Sequence, residues 1–383
     1  MNTLLSAYRP HRLGNGRLRR TTGVLMAMLL GMLSLVGLSG ASIQAAPIAP
    51  ARVMLTYTVT NINDSGVNSL RQAIINANGS GGLDTISFNI PGGGLHTITL
   101  LSPLPPIVDP VIIDGYSQPG SSCNTLPIGI NAVPQIELNG SSVAASGLVI
   151  LAGGSTVNGL IINRFGLDGI DLQNLGGNSI VGNFIGTNAT GTAPSPNLQR
   201  GVLVETANNS IGTALPCDRN LISSNAFNGV HINGQNATAN TVYNNYIGTN
   251  AAGMGALPNN GSGVLITSAS GNFVGNATQG TGNLISGNEG TGVLIQNSGQ
   301  PANNNRVRGN FIGTKAPGSG ALGNTRWGVQ IVNTGLNQIG GTAAGAGNTI
   351  AYNLFDGVML VGAPSISNPI RTNSIHDNTD LGI

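Results

Sequence analysis

The chain has 383 residues, of which 59 are Gly, while charged residues make up only 7% of it and aromatic residues 4%. A helical bundle needs many Glu, Lys and Arg, and a nucleic-acid-binding domain needs a basic patch, whereas Lys315 is the one Lys of this sequence. A hydrophobic fraction of 40% and a net charge of +2 are unlike a disordered chain, and Gly without a three-residue period is unlike collagen. The composition therefore favours short strands joined by many turns.

The N-terminus has the pattern of an export signal. Five Arg residues between positions 9 and 20 precede the uncharged apolar run Val24–Leu38, and small residues follow up to Ala46. This order predicts a signal peptide over residues 1–46, a linker over 47–56, and a secreted or cell-surface protein. The alternative is a membrane anchor, but the run is short for a span of about 20 residues and no second one follows. Without residues 1–46 the chain has 10 basic and 13 acidic residues, a net charge of −3.

The chain contains two cysteines, Cys123 and Cys217, and both lie in loop-like contexts. In an exported protein an even number of cysteines allows one disulfide between them. Two free thiols are the alternative, and the sequence does not decide between the two.

A four-residue phrase, Gly followed by apolar, any and apolar residues, recurs through the second half of the chain. Its copies begin at Gly147, Gly169, Gly201, Gly229, Gly263, Gly292, Gly328 and Gly357. From Gly201 to Gly263 is 62 residues and from Gly263 to Gly328 is 65, so a unit of two copies repeats. A regular period of this kind indicates a solenoid. We therefore assign residues 141–383 to repeats. Because a ninth copy starts at Gly382, we expect the sequence to be incomplete at its C-terminus.

A second phrase, with Asn at every fifth residue and single Ile or Val residues between them, lies between the glycines. It predicts three columns of stacked Asn side chains, because amides can hydrogen-bond to the coil above and below. The first column contains Asn178, Asn209, Asn240, Asn272, Asn305, Asn337 and Asn368. The second contains Asn183, Asn220, Asn245, Asn283, Asn310, Asn348 and Asn373. In the longer coils the third place falls on Asn188, Asn250 and Lys315.

These patterns predict an all-β protein, a right-handed parallel β-helix solenoid with a short N-terminal capping helix. Each coil holds three short strands whose inward Ile or Val side chains stack into columns, and parallel crossovers are almost always right-handed. A propeller or a β-sandwich is the alternative, but propeller blades need longer strands. The helix is expected over residues 69–78, with a capping box from Ser69 to Gln72 and Gly79 as C-cap. Residues 57–140 are then the N-terminal cap and irregular first coils.

One motif in the capping segment resembles a known family. Residues 68–74, Asn-Ser-Leu-Arg-Gln-Ala-Ile, resemble the CSLREA motif of bacterial secreted right-handed β-helix proteins, and the repeats resemble those of the pectate-lyase-like group. The chain departs from the motif at Asn68 and Gln72, where the motif has Cys and Glu. The resemblance implies the β-helix fold and, for the best-known members, polysaccharide lyases that use calcium or hydrolases that use paired carboxylates.

Few residues offer catalytic chemistry. Aligning the glycine phrases puts Asp171 and His231 in one outward column, two coils apart with Leu203 between them, and puts Asp168 beside Arg200. Asp168, Asp171, Arg200 and His231, with Arg164 and Glu205 nearby, are therefore the candidate catalytic group. The alternative is a set of surface charges and an ion pair of little value. No metal site and no cofactor are expected, because the sequence lacks the corresponding motifs.

Three aromatic residues predict a binding surface. The residues before the inward Ile of the second strand should point outward, which places Phe184, Tyr246 and Phe311 on every second coil, roughly 10 Å apart. Flat rings at this spacing suit an extended glycan. The alternative is that the inserts 188–197, 250–259 and 315–324 fold over the rings. The sequence thus favours a surface scaffold that binds polysaccharide or another cell-surface partner, and not nucleic acid; the alternative is a polysaccharide lyase or glycoside hydrolase.

Overall fold

The computed structural model describes residues 54–278 and 280–383, so the predicted signal peptide over residues 1–46 lies outside the described residues. The described part contains one α-helix, two 3₁₀-helices (Gly115–Ser117 and Pro216–Asp218) and 29 strands in three sheets whose strand pairings are all parallel. From the strand Leu148–Ile150 onward, each coil adds one strand to each sheet, which is the predicted right-handed parallel β-helix. No helix in the described ranges has the length and apolar character needed to cross a bilayer.

The three sheets run the length of the solenoid. The first comprises Thr56–Val59, Asp84–Phe88, Val111–Asp114, Thr156–Asn158, Ser179–Val181, Ser210–Ile211, Thr241–Val242, Phe273–Val274, Arg306–Val307, Gln338–Gly340 and Ile370–Arg371. The second comprises His96–Thr99, Ile136–Asn139, Leu160–Asn163, Phe184–Ile185, Leu221–Ile222, Tyr246–Ile247, Leu284–Ile285, Phe311–Ile312, Thr349–Ala351 and Ser374–His376. The third comprises Leu148–Ile150, Ile170–Leu172, Val202–Val204, Val230–Asn233, Val264–Thr267, Val293–Gln296, Val329–Val332 and Val358–Val361.

The capping helix begins one residue later than predicted and covers Leu70–Gly79. Ser69 is its N-cap and accepts a hydrogen bond from the Gln72 backbone N–H at 3.2 Å. Two details of the prediction were wrong. The Gln72 side chain donates to Asn76 instead of closing the capping box, and the C-cap is Ser80, because Gly79 is still helical. The apolar face of the helix, formed by Leu70, Ala73, Ile74 and Ala77, is buried in the same core as the first strands.

Inward aliphatic side chains and Asn ladders hold the coils together. Ile180, Ile185 and Val204, one from each sheet of neighbouring coils, have no exposed surface. Hydrogen bonds join each of the first two predicted Asn columns along the axis; for example, Asn178 Nδ2 donates to Asn209 Oδ1 at 3.0 Å and Asn183 Nδ2 to Asn220 Oδ1 at 3.2 Å. Stacking therefore satisfies buried amides that would otherwise cost stability.

The third Asn column differs from the prediction in the longer coils. It contains Asn197, Asn225, Asn259, Asn288, Asn324, Asn353 and Asn378, joined amide to amide. Asn188 and Asn250 instead start the inserts, where the Asn188 Oδ1 accepts the backbone N–H groups of Thr192 and Ala193. The insert postpones the ladder position by nine residues, so the ladder Asn follows the insert rather than preceding it.

Candidate functional site

The predicted aromatic column exists on the outer face of the second sheet. Strand register aligns Phe184 with Leu221, Leu221 with Tyr246, Tyr246 with Leu284, and Leu284 with Phe311. These side chains alternate with the inward residues of the same strands, so they point away from the core. A second apolar cluster therefore lies on the outer face of the second sheet, and this sheet separates it from the main core inside the β-helix.

This column is not an open strip: the structure shows the stated alternative, in which the inserts fold over the rings. Phe184 is 1% exposed and Tyr246 6% exposed, while Phe311 is half-buried. Each insert folds back over the aromatic ring of its own coil, and Ala189, Ala251 and Ala316 from the three inserts pack in the cluster. The inserts can lie close because a glycine sits on each ring; a Cβ at Gly253, for example, would lie 2.8 Å from Tyr246 Cε2.

A loop from the first coils adds a second cover. This covering loop, residues 118–135, runs between a 3₁₀-helix and the strand Ile136–Asn139. The backbone N–H of Gly129 donates to the Tyr246 hydroxyl at 2.7 Å, and the N–H of Ile130 donates to the Ala251 carbonyl at 2.8 Å. Cys123 in this loop forms a disulfide with Cys217. The loop is therefore tied to coils far along the solenoid.

Arg219 holds the covering loop by its guanidinium. The side chain is buried and donates to the carbonyl oxygens of Leu126, Pro127 and Gly129 and to Asn244. Its guanidinium carbon lies 4.9 Å from the centre of the Tyr246 ring, within cation–π range. Burial lowers the pKa of Arg219, and no carboxylate in the described residues pairs with it. A positive charge thus lies beside the aromatic column without a neutralising anion.

A pocket opens beside Pro127 and Ile128 in the middle of the covering loop. Its volume is about 520 Å³, and its floor is the continuation of the aromatic column, Tyr246, Leu284 and Phe311. The other lining residues are Pro127, Ile128, Ala214, Pro216, Arg219, Asn244, Gly280, Thr281, Gly282, Ala316 and Pro317. An apolar floor with a few polar groups at its edge is typical of sites for small organic ligands.

The structure brings the other predicted residues together on the third sheet. Register aligns Asp171 with Leu203 and Leu203 with His231, as the glycine phrases predicted. Although both side chains point outward, Asp171 is 7% exposed and His231 8% exposed. Neither Asp171 Oδ1 nor His231 Nδ1 has a hydrogen-bond partner, whereas Gln173 donates to Asp171 Oδ2 at 2.7 Å.

Burial shifts the pKa values of Asp171 and His231 in opposite directions. Burial, reinforced by the charges of Asp168 and Glu205, raises the pKa of Asp171 to about 6. Burial and the charge of Arg200 lower the pKa of His231 to about 4. At neutral pH the His231 imidazole is therefore uncharged, and the Asp171 carboxyl holds a proton more readily than an ordinary Asp.

Asp168 and Arg200 form the adjacent pair that the sequence predicted. Arg200 Nη1 lies 3.4 Å from Asp168 Oδ1, and the Arg200 backbone N–H donates to the same oxygen at 2.8 Å. Burial raises the pKa of Asp168 against the opposing effect of Arg200. Elsewhere, Arg164 pairs with Glu137 rather than with this group. No group of three or more His, Cys, Asp or Glu side chains placed to hold a metal ion was found in the described part of the chain.

Sequence reasoning missed most of the pocket wall. Pro127 and Ile128 come from a loop outside the repeats, and Arg219 lies in an irregular turn of the chain. Periodicity cannot place either segment, because neither repeats. The one available signal was the pair of cysteines, since a bond between Cys123 and Cys217 puts the loop near coils 94 residues away.

No family model matches the chain, and no curated protein matches it. Solved structures do match. A mutant of the periplasmic alginate epimerase AlgG is 13% identical with a TM-score of 0.43, over 77% of this chain and 71% of that one. The alginate lyase from Paenibacillus sp. str. FPU-7 is 14% identical with a TM-score of 0.37, over 86% and 98% of the two chains. Pectate lyase Pel9A is 14% identical with a TM-score of 0.35, over 85% and 81%. At these values the likenesses carry no argument about activity.

Proposed function

We propose that this chain is an exported β-helix protein that binds carbohydrate in the pocket on its second sheet. The observation that carries the proposal is the pocket floor, where the half-buried aromatic ring of Phe311 lies beside Leu284 and the covered ring of Tyr246. One face of a pyranose ring consists largely of C–H groups, which pack well on the flat face of an aromatic ring. Thr281 at the edge supplies a hydroxyl that can hydrogen-bond to a sugar.

Two features support export as part of the proposal. The Arg-rich start followed by an apolar run has the order of a signal peptide. The disulfide between Cys123 and Cys217 is of a kind that persists in oxidising compartments. Secretion of the full-length chain with its first 46 residues removed, read by mass spectrometry of the mature N-terminus, tests this part.

The binding claim is tested by removing one ring of the floor. Phe311→Ala should weaken retention of the protein in gels containing its best-retained neutral polysaccharide by about tenfold, equivalent to about 1.4 kcal/mol. Phe227→Ala is the matched control, because Phe227 is 51% exposed on a turn that does not line the pocket. If no polysaccharide in a broad panel retards the unaltered protein, or if both variants lose retention equally, the proposal fails.

A second candidate function, polysaccharide cleavage, rests on the third sheet. Asp171 Oδ1 and His231 Nδ1 are buried and unpartnered, and Asp171 has the raised pKa of a general acid. Glu205 acts on the pKa of Asp171 and offers a second carboxylate, as glycoside hydrolysis requires. Reducing-end and unsaturated-product assays, with and without calcium, should give product with the unaltered protein and none with Asp171→Asn. Absence of product from every substrate rejects this candidate.

A further inference from the structure

Three arginines lie close together on the outer face of the first sheet, away from the pocket. Arg306 pairs in register with Phe273 on one side and with Gln338 on the other. Arg308 follows two residues later and donates to the Gln338 side chain. Arg371 pairs with Gly340, which occupies the coil between Arg308 and Arg371. We call Tyr243, Phe273, Arg306, Arg308, Gln338 and Arg371 the arginine face.

No carboxylate neutralises this face. None of the ion pairs in the described residues includes Arg306, Arg308 or Arg371. After Arg219 the sequence contains four acidic residues, Glu289, Asp356, Asp377 and Asp380, and none of them lies in a strand of the first sheet. Burial and the charge of Arg306 lower the pKa of Arg308, and its Nε lacks a hydrogen-bond partner. Three like charges are thus held together without compensation.

Aromatic rings accompany the charges. The Arg306 guanidinium carbon lies 5.2 Å from the centre of the Phe273 ring. Tyr243 is close enough to Arg306 and Arg308 that their charges act against the rise in its pKa caused by burial. Both rings are half-buried, so part of each faces solvent. The combination of guanidinium groups and partly exposed rings can bind an oxyanion and the ring that carries it together.

We propose that the arginine face binds the carboxylate or sulfate groups of an acidic polysaccharide. Arg308 and Arg371 are two coils apart, roughly 10 Å, with Gly340 in the coil between them. This distance is close to the length of a disaccharide in an extended polysaccharide, so successive arginines can reach charges carried on alternate sugars. The site lies on a different sheet from the proposed carbohydrate pocket and does not depend on it.

The charge balance favours such a glycan over a nucleic acid. Residues 54–383 contain nine basic and thirteen acidic side chains, a net charge of −4. A nucleic acid carries a charge on every nucleotide and needs a continuous basic surface to offset the repulsion from a negative protein. Three arginines provide a local positive site and not a continuous basic surface.

The test compares two exposed arginines on this face with one elsewhere. The Arg306→Gln/Arg371→Gln double variant should bind dextran sulfate or polygalacturonate at least tenfold more weakly than the unaltered protein at low salt. Arg326→Gln is the control, because Arg326 is exposed on a turn between the second and third sheets and should change binding less than twofold. Melting curves of the three proteins should coincide, since none of the three side chains is buried.

The choice of polyanion separates the outcomes. Stronger binding of dextran sulfate or of polygalacturonate identifies the preferred oxyanion, and both results support the proposal if neutral dextran does not compete. Binding of polyuridylate in preference to both glycans overturns it in favour of a nucleic acid. A loss in the double variant that is no more than twice the loss in Arg326→Gln, on a logarithmic scale, overturns it by showing an effect of net charge alone. No binding of any polyanion overturns it outright, whatever Phe311→Ala does to neutral glycan binding.

Discussion

At the scale of single residues, the ladder asparagines use nearly all of their hydrogen-bonding capacity. Asn245 Nδ2 donates to the Ile211 carbonyl at 2.7 Å and to Asn283 Oδ1 at 3.1 Å. Its Oδ1 accepts from Asn220 Nδ2 at 2.8 Å. Because these amides are buried, losing one side chain leaves the neighbours on both sides with unsatisfied groups.

Asn245→Ala should therefore lower the free energy of unfolding by about 3 kcal/mol, the cost of leaving buried polar groups unpaired. Asn260→Ala provides the comparison, because Asn260 is exposed and should change stability by less than about 0.5 kcal/mol. Urea unfolding followed by circular dichroism measures both. Similar losses in the two variants would show that the ladder does not stabilise the solenoid.

The raised pKa of Asp171 makes stability depend on pH. Its folded-state pKa of about 6 lies above the ordinary value of 3.8, so its contribution is fully favourable below pH 4 and is lost as the pH rises through 6. The stability of Asp171→Asn relative to the unaltered protein should therefore improve by about 1–2 kcal/mol between pH 4 and pH 7, allowing for solvent screening. Urea unfolding across this range measures the stability difference between the two proteins. A difference that does not change with pH would mean that folding does not raise the pKa of Asp171.

At the scale of elements, the inserts depend on glycines that lie against aromatic rings. Gly253 has a φ of +69°, and a Cβ there would meet both Tyr246 and Ala316 at 2.8 Å. Gly271 has a similar φ of +73°, but no atom lies within 4 Å of an added Cβ. A substitution by Ala therefore has a similar backbone cost at the two positions, but only at Gly253 does the added Cβ meet neighbouring side chains.

Gly253→Ala should be less stable than Gly271→Ala by about 1–3 kcal/mol, which is the usual cost of overpacking. The melting temperatures of the two variants, measured side by side, give the comparison. Equal values would mean that the insert moves off the Tyr246 ring without cost, and that the ring is less firmly covered than the structure shows.

The repeated strands could be predicted from sequence, whereas the conformation of the inserts between them could not. The register of Phe184, Leu221 and Tyr246 follows from strand alternation, which a single sequence displays directly. Whether an insert covers its ring depends on the conformation of a short Gly- and Pro-rich segment. The alternation of side chains along a strand does not predict that conformation. The third ladder position was predicted at Asn188 but lies at Asn197, because periodicity does not show where an insertion begins.

At the scale of the whole molecule, one disulfide bond links the irregular first coils to the regular repeats. Cys123 and Cys217 are 94 residues apart in sequence. The covering loop that carries Cys123 also bonds to Arg219 and Tyr246. The loop therefore forms one wall of the pocket only while it is held against later coils.

The Cys123→Ser/Cys217→Ser variant should lose about 2–5 kcal/mol of stability, as is usual when a disulfide that closes a long loop is removed. Urea unfolding of the unaltered protein with reductant should show the same loss, and reductant should not affect the variant further. If the variant is as stable as the oxidised protein, the bond does not hold the covering loop in place.

The three faces of the solenoid carry different chemistry. The second sheet has the aromatic pocket, the third has Asp171 and His231 beside the Asp168–Arg200 pair, and the first has the arginine face. A parallel β-helix allows this separation because each sheet has its own outward columns, while the inward columns remain aliphatic. Substitutions on one face should therefore leave ligand binding at the other two unchanged.

The most direct test of carbohydrate binding is a crystal structure of the protein with the oligosaccharide it retains best. Our account predicts a sugar ring stacked on Phe311 in the pocket, with a hydroxyl within hydrogen-bond distance of Thr281. A sugar bound on the third sheet over Leu203, with the aromatic pocket empty, would contradict the account and place function at Asp171 and His231 instead.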